Sequence, residues 1–313
     1  MGSTPAGGTN IKGKYTMFYK DNWMTWYYDG VERGPKSSPE SVWSLEFKKT
    51  ITRPINSYKE ELLANAAALR DQFDDPFDLL LSGGVDSEVI LRCYHELKIP
   101  VNVFIFRYEN NINKQECIRA LNVCNELNVT PTVIDFNLEK FFENDAYDIW
   151  KTGHYASAGR LVYLKFLDYL DNIPILGDGD LECFYENNRW SFQIRELEYA
   201  VTIYSTKINR TVIADWYHYS PEVIISHMET PIVNKMLNNV LPVLNYSEVK
   251  YFLYKSIWPQ IEIRKKKSGW EIDSINSIPP FMEEFNRTYT SNMKFRKYSF
   301  TQKEFINLLT IDK

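Results

Sequence analysis

The residues of this 313-residue chain whose types and spacing could do chemistry begin with Ser82-Gly83-Gly84-Val85-Asp86-Ser87. An apolar run, Phe77–Leu81, leads into them, and Ile90, Leu91, Tyr94 and Leu97 follow at helical spacing. The pattern predicts a buried strand, a tight glycine turn and a helix N-terminus. Backbone N–H groups in such a turn point outward, and the helix dipole favours negative charge there, so the place suits phosphate. Gly83 and Gly84 permit positive φ and close approach of a ligand, and the Ser82 and Ser87 hydroxyls can donate to phosphate oxygens. The GxxxxGK[ST] pattern is absent, which excludes the phosphate loop of kinases and GTPases.

Two further clusters carry charge. In Gly177-Asp178-Gly179-Asp180-Leu181-Glu182-Cys183-Phe184, three carboxylates lie within five residues. They repel one another unless a cation or basic partner is present, and spacing alone leaves an acidic turn and a cation site equally open. The second cluster is Arg264-Lys265-Lys266-Lys267-Ser268-Gly269-Trp270, a basic run that by itself reads as a solvated face. The histidines His95, His154, His218 and His227 show no metal spacing, and none has the context of a general base.

The elements that must position these groups alternate regularly. After the glycine turn come a helix over 86–97, a strand Val101–Phe106, a helix over 114–127 and a strand Thr132–Phe136. Helical segments near Leu138–Asn144 and Ala156–Leu170 lead to a fourth strand, Ile173–Leu176. This order predicts an α/β fold: a parallel, doubly wound sheet with helices on both faces. Ligands then bind at the carboxyl ends of the strands, where the segments after Leu81, Phe106 and Leu176 converge. Before this core, residues 1–57 read as a tail and an aromatic β-hairpin flap, with a helix over Tyr58–Phe73 opening a core of 58–186. Residues 187–313 read as a mostly helical part that completes the site. Cys117 and Cys124 face inward and read as core.

Composition narrows the classes. Net charge is -5 and the pI near 5.6, so no basic balance points to nucleic acid. The four cysteines form no CxxC pair and no zinc spacing, which indicates a reducing, cytoplasmic setting. The Gly/Ser/Thr-rich N-terminus lacks the apolar core of a signal peptide, and no apolar run approaches a membrane span.

The stretch 82–87 resembles the SGGxDS pyrophosphate loop of the PP-loop ATP pyrophosphatases, a superfamily that includes asparagine synthetase, NAD synthetase, GMP synthetase and tRNA-modifying enzymes. Gly177–Phe184 is similar to the GEGxDExF motif of asparagine synthetases, except that the family's magnesium-binding aspartate falls on Leu181; Asp180 or Glu182 could substitute. Lys250-Tyr251-Phe252-Leu253, Pro259 and the basic run resemble the lysine-bearing tail of the same family. Aligned on Gly269, the family's lysine falls on Lys267, with Lys266 as the competitor if the register shifts. The resemblance implies an adenine nucleotide alpha-hydrolase-like core resembling the synthetase domain of asparagine synthetase. ATP would be held by Ser82, Gly83, Gly84, Asp86 and Ser87, and Mg2+ by Asp86 and Asp180. Lys267, Asp178 and Glu182 would act in catalysis.

That resemblance makes the chain an AMP-forming ligase that adenylates a small carboxylate and passes it to ammonia or an amine. The sequence before Phe77 is too short for a glutaminase domain, so nitrogen would come from free ammonia, a substrate amine or a separate donor protein. The absence of CxxC argues against thiolases. Two alternatives stay open: nucleoside or tRNA modification, against which the net acidity weighs, and a non-catalytic ATP-binding module, for which Leu181 speaks.

Overall fold

A computed structural model describes residues 23–32, 43–151, 158–177, 182–186, 189–193, 196–233, 246–263 and 298–311. At its centre is a four-stranded parallel sheet of β4 (Phe77–Leu80), β5 (Asn102–Tyr108), β6 (Thr132–Phe136) and β7 (Ile173–Leu176), in the order β6-β5-β4-β7. β4 aligns Leu80 with Phe104 on one side and with Leu176 on the other. The chain therefore winds one way from β4 to β6 and then returns across β4 to β7. The crevice between the carboxyl ends of β4 and β7 is the topological switch point.

Helices cover both faces, as the alternating pattern required. On one face α1 (Tyr58–Gln72), α2 (Val85–Glu96) and α3 (Lys114–Glu126) bury Leu62, Ala66, Leu69, Val89, Ile90, Ala120 and Cys124 against Phe77 and Leu79. On the other, α4 (Leu138–Asn144), α5 (Ala146–Lys151), α6 (Ala158–Phe166) and α7 (Glu196–Lys207) form a cluster with Phe106, Phe136 and Leu176. Cys117 and Cys124 are buried, as expected of core thiols, and burial pushes each up to about 11.

Local chemistry sets the boundaries. Ser57 opens α1 with a capping box, its side chain accepting from the Glu60 N–H while Glu60 Oε2 accepts from the Ser57 N–H. α2 and α3 both end in Schellman turns, with Lys98 (φ 56) and Asn128 (φ 54) in the left-handed position. There the Ile99 N–H donates to Tyr94 O and the Val129 N–H to Cys124 O. Asp78, at the amino end of the sheet, is fully buried and accepts from the Asn102 and Asn172 amides and from the Asp171 and Asn172 N–H groups. It pins β5 and the entry to β7 onto β4.

Among the described residues, two antiparallel sheets lie beside this core. β1 (Met24–Tyr28) turns at Asp29-Gly30 into β2 (Val31–Glu32), as the aromatic flap predicted, and also pairs with β3 (Trp43–Phe47), which the sequence did not mark. The C-terminal third is not helical throughout. β8 (Glu182–Glu186) and β9 (Arg189–Gln193) form a hairpin that β10 (Tyr298–Phe300) extends. Its helices include α8 (Pro221–Met228), α9 (Tyr246–Ile257) and α10 (Gln302–Leu309). A third apolar cluster joins Trp23, Trp26 and Leu45 of the N-terminal strands to Trp190, Ile225, Phe305 and Leu309. A bridge between Ile51 and Thr310 ties the two regions further, so the flap and the C-terminal helix share one core.

Candidate active site

The loop after β4 is held from within. The Ser82 N–H donates to Ser87 Oγ at 3.2 Å, and the Gly84 N–H donates to Ser82 Oγ at 3.3 Å. Ser87 Oγ donates to Gly84 O at 3.1 Å and is fully buried. Its hydroxyl thus shapes the turn in this structure, whereas Ser82 is exposed at the loop's surface. Gly84 caps α2 without any side-chain hydrogen bond, so the first-turn N–H groups carry no side-chain cap. An uncapped helix N-terminus behind a glycine turn is an anion-binding surface.

Both glycine positions at the crevice are sterically enforced. Gly83 has φ 76, and a Cβ there would stand 2.2 Å from Glu116 O in α3. A Cβ on Gly177, the first residue after β7, would stand 2.4 Å from Ser87 Cβ. The start of the acidic stretch therefore lies directly against the phosphate loop, and the strand ends converge as the sheet order demands. Asp178, Asp180 and Lys267 lie outside the described residues. Glu182 opens the strand β8.

One partner of the loop lies far off in sequence. Lys250, on α9, places Nζ 3.2 Å from Asp86 Oδ2 and 3.4 Å from Oδ1. The sequence offered Lys250 only as part of a motif. What brings it to Asp86 is the burial of Tyr251, Leu253 and Tyr254 in the sheet's core cluster, which pins α9 over α2. Tyr217 adds a second anchor, its hydroxyl donating to Asp86 O at 2.8 Å.

A cavity of about 150 Å³ opens beside the loop, lined by Leu80–Gly84, Phe104–Phe106, Tyr108, Asn113, Tyr163, Phe166 and others. Its floor is aromatic: Phe106 and Phe166 stack at 3.7 Å between centroids, 13° apart. Asn113 fixes the rim by donating to Phe106 O and accepting the Tyr108 N–H, both at 2.8 Å. Whole small-molecule sites usually enclose about 300–1,000 Å³, so this cavity accepts part of a ligand while the remainder runs over the loop. An apolar aromatic slot continuous with an anion surface suits a nucleoside joined to phosphates.

Among the described residues no group of three His, Cys, Asp or Glu side chains could by itself hold a metal ion. Magnesium that arrives on a triphosphate needs only one or two protein carboxylates.

Residues 59–163 match the family model for asparagine synthase. The matched stretch includes the phosphate loop, where the SGGxDS resemblance lies. Among solved structures, an NMN synthetase from Francisella tularensis is 16% identical, covering 76% of this chain and 95% of that one, with a TM-score of 0.34. An NH3-dependent NAD synthetase from Campylobacter jejuni, in complex with nitrate, is 14% identical over 75% of this chain and 93% of that one, with a TM-score of 0.32. No curated protein matches the chain. The fold assignment rests on the sheet order itself. No helix among the described residues is long and apolar enough to cross a membrane.

Proposed function

We propose that this chain is an ATP-dependent, AMP-forming ligase of the asparagine synthase type, which adenylates a small carboxylate and transfers it to ammonia or an amine. The observation that carries it is the pairing of Lys250 with Asp86 at the N-terminus of α2, beside an uncapped glycine turn. A cation and a carboxylate held together at an anion site serve different parts of one ligand. Lys250 neutralises charge on the phosphates, and Asp86 takes the metal that accompanies them.

In this account the Ser82–Gly84 backbone and the Ser82 hydroxyl hold the pyrophosphate, and Ser87 fixes the turn from beneath. The aromatic slot takes the adenosine. Bound magnesium would spread the negative charge of the triphosphate. Lys250 stabilises the charge that develops as pyrophosphate leaves, and its flexible stem can follow a moving phosphate. Asp178, Asp180 and Glu182 follow Gly177, which touches Ser87, and we assign to them the second metal contact and the acceptor side of the reaction. Lys267 is proposed as a further cation at the α-phosphate. Nitrogen comes from ammonia, an amine or a donor protein, in a cytoplasmic setting.

The test is product analysis. A panel of carboxylates with ammonium and Mg·ATP should yield AMP and pyrophosphate with at least one acid, and Asp86→Ala should abolish both. Formation of ADP and phosphate, or AMP release that survives Asp86→Ala, would overturn the proposal.

A further inference from the structure

We propose, on the reading of the loop as an ATP site, that Arg119 binds the triphosphate from the α3 side. Arg119 is half-buried and lines the same cavity as Ser82, Gly83 and Gly84. It forms no hydrogen bond or ion pair with the described residues. Other arginines near this sheet are committed: Arg92 binds Glu88 and Glu126, and Arg107 binds Asp135. A guanidinium without a carboxylate partner among the described residues, in a cavity that ends at an anion surface, is placed for an anionic ligand.

The approach of α3 to the loop makes the reach short. The contact of Gly83 with Glu116 O brings the first turn of α3 against the glycine turn. Helical side chains lean toward the helix N-terminus, so the Arg119 stem runs back over the turn that contains Glu116 and toward Gly83. Glu116 lines the cavity too but is not ion-paired with Arg119, which leaves the guanidinium's donors open. Lys250 enters from α9 through Asp86, and Arg119 from α3, so the loop presents its phosphates to two cations carried by different helices. A planar guanidinium accepts two phosphate oxygens at once and stays charged at all working pH, which a lysine does not duplicate.

The test separates phosphate from nucleoside binding in the full-length chain. Mg·ATP affinity is measured by calorimetry, and adenosine affinity by displacement of a fluorescent ATP analogue. Arg119→Gln should weaken Mg·ATP binding about ten- to hundredfold while leaving adenosine within about twofold, and Arg119→Lys should fall between wild type and Arg119→Gln. Unchanged Mg·ATP affinity, or an equal loss for ATP and adenosine, would overturn the role of Arg119. If the wild-type chain itself binds no Mg·ATP, the ATP reading fails, and the role of Arg119 with it.

Discussion

Lys250 Nζ lies 3.2 Å from Asp86 Oδ2, although 164 positions separate the two residues. Their side chains are 10% and 20% exposed, so the pair is largely withdrawn from water. Replacing Lys250 by Gln leaves Asp86 partly desolvated without its cation. The expected result is a loss of about 1–3 kcal/mol in unfolding free energy and a fall of about ten- to hundredfold in Mg·ATP affinity. Urea denaturation and calorimetric titration read the two effects separately.

The glycines at the crevice should rank by their surroundings. Gly83→Ala meets both positive φ and the Glu116 carbonyl, and Gly177→Ala meets Ser87. Each should cost about 2–4 kcal/mol and lower nucleotide affinity. Gly30→Ala shares the positive φ but has nothing within 4 Å, so it should cost only about 1 kcal/mol and leave binding intact. Denaturation midpoints of the three variants give the order.

Asp78 should separate stability from function. Removing the buried carboxylate in Asp78→Ala takes the acceptor from the N–H groups of Asp171 and Asn172 and from two side-chain amides, all in part-buried bonds. A cost of about 3 kcal/mol or more is expected. The residue lies at the amino end of β4, away from the loop, so Mg·ATP affinity of the folded fraction should match wild type.

His227 makes stability depend on acid. It is half-buried against the Tyr58 ring, 5.3 Å between centroids, with Nδ1 out of reach of water, and desolvation lowers it from 6.5 to about 4. As the pH falls below the unfolded value, the unfolded chain takes up a proton that the folded chain refuses. This contribution is therefore absent above neutrality and destabilises progressively down to about the folded value. Between pH 7 and pH 5 the loss should be about 2 kcal/mol, and His227→Gln should lose correspondingly less on the same change of pH. Urea midpoints at the two pH values check it.

Much of the central sheet was readable from the sequence. β6, β7 and α4 fall where the residues placed them, because short apolar runs bounded by turn residues leave little alternative. The phosphate loop was legible for the same reason, since a strand, two glycines and a helix start are all local signals. β3 was not, because it owes its existence to its pairing with β1, as of Leu45 with Trp26. The β8–β9 hairpin did carry a missed signal: Asn187-Asn188 stands between two aromatic-bearing runs, a turn sequence that favours positive φ. Lys250 had no such signal. Its reach to Asp86 depends on how α9 packs, and nothing in the spacing of Lys250-Tyr251-Phe252-Leu253 encodes that distance. Arg119 likewise carries no signal in the sequence, since its place at the loop follows from the approach of Gly83 to Glu116.

Asp86 and Lys250 are proposed to serve an adenylation step. That role is tested most directly by exchange of labelled pyrophosphate into ATP, run with the carboxylate panel and without ammonia or amine. The account predicts carboxylate-dependent exchange in the wild-type chain that is lost in Asp86→Ala and reduced at least about a hundredfold in Lys250→Gln. Exchange that persists undiminished in Asp86→Ala, or ATP cleavage that yields ADP instead, would contradict it.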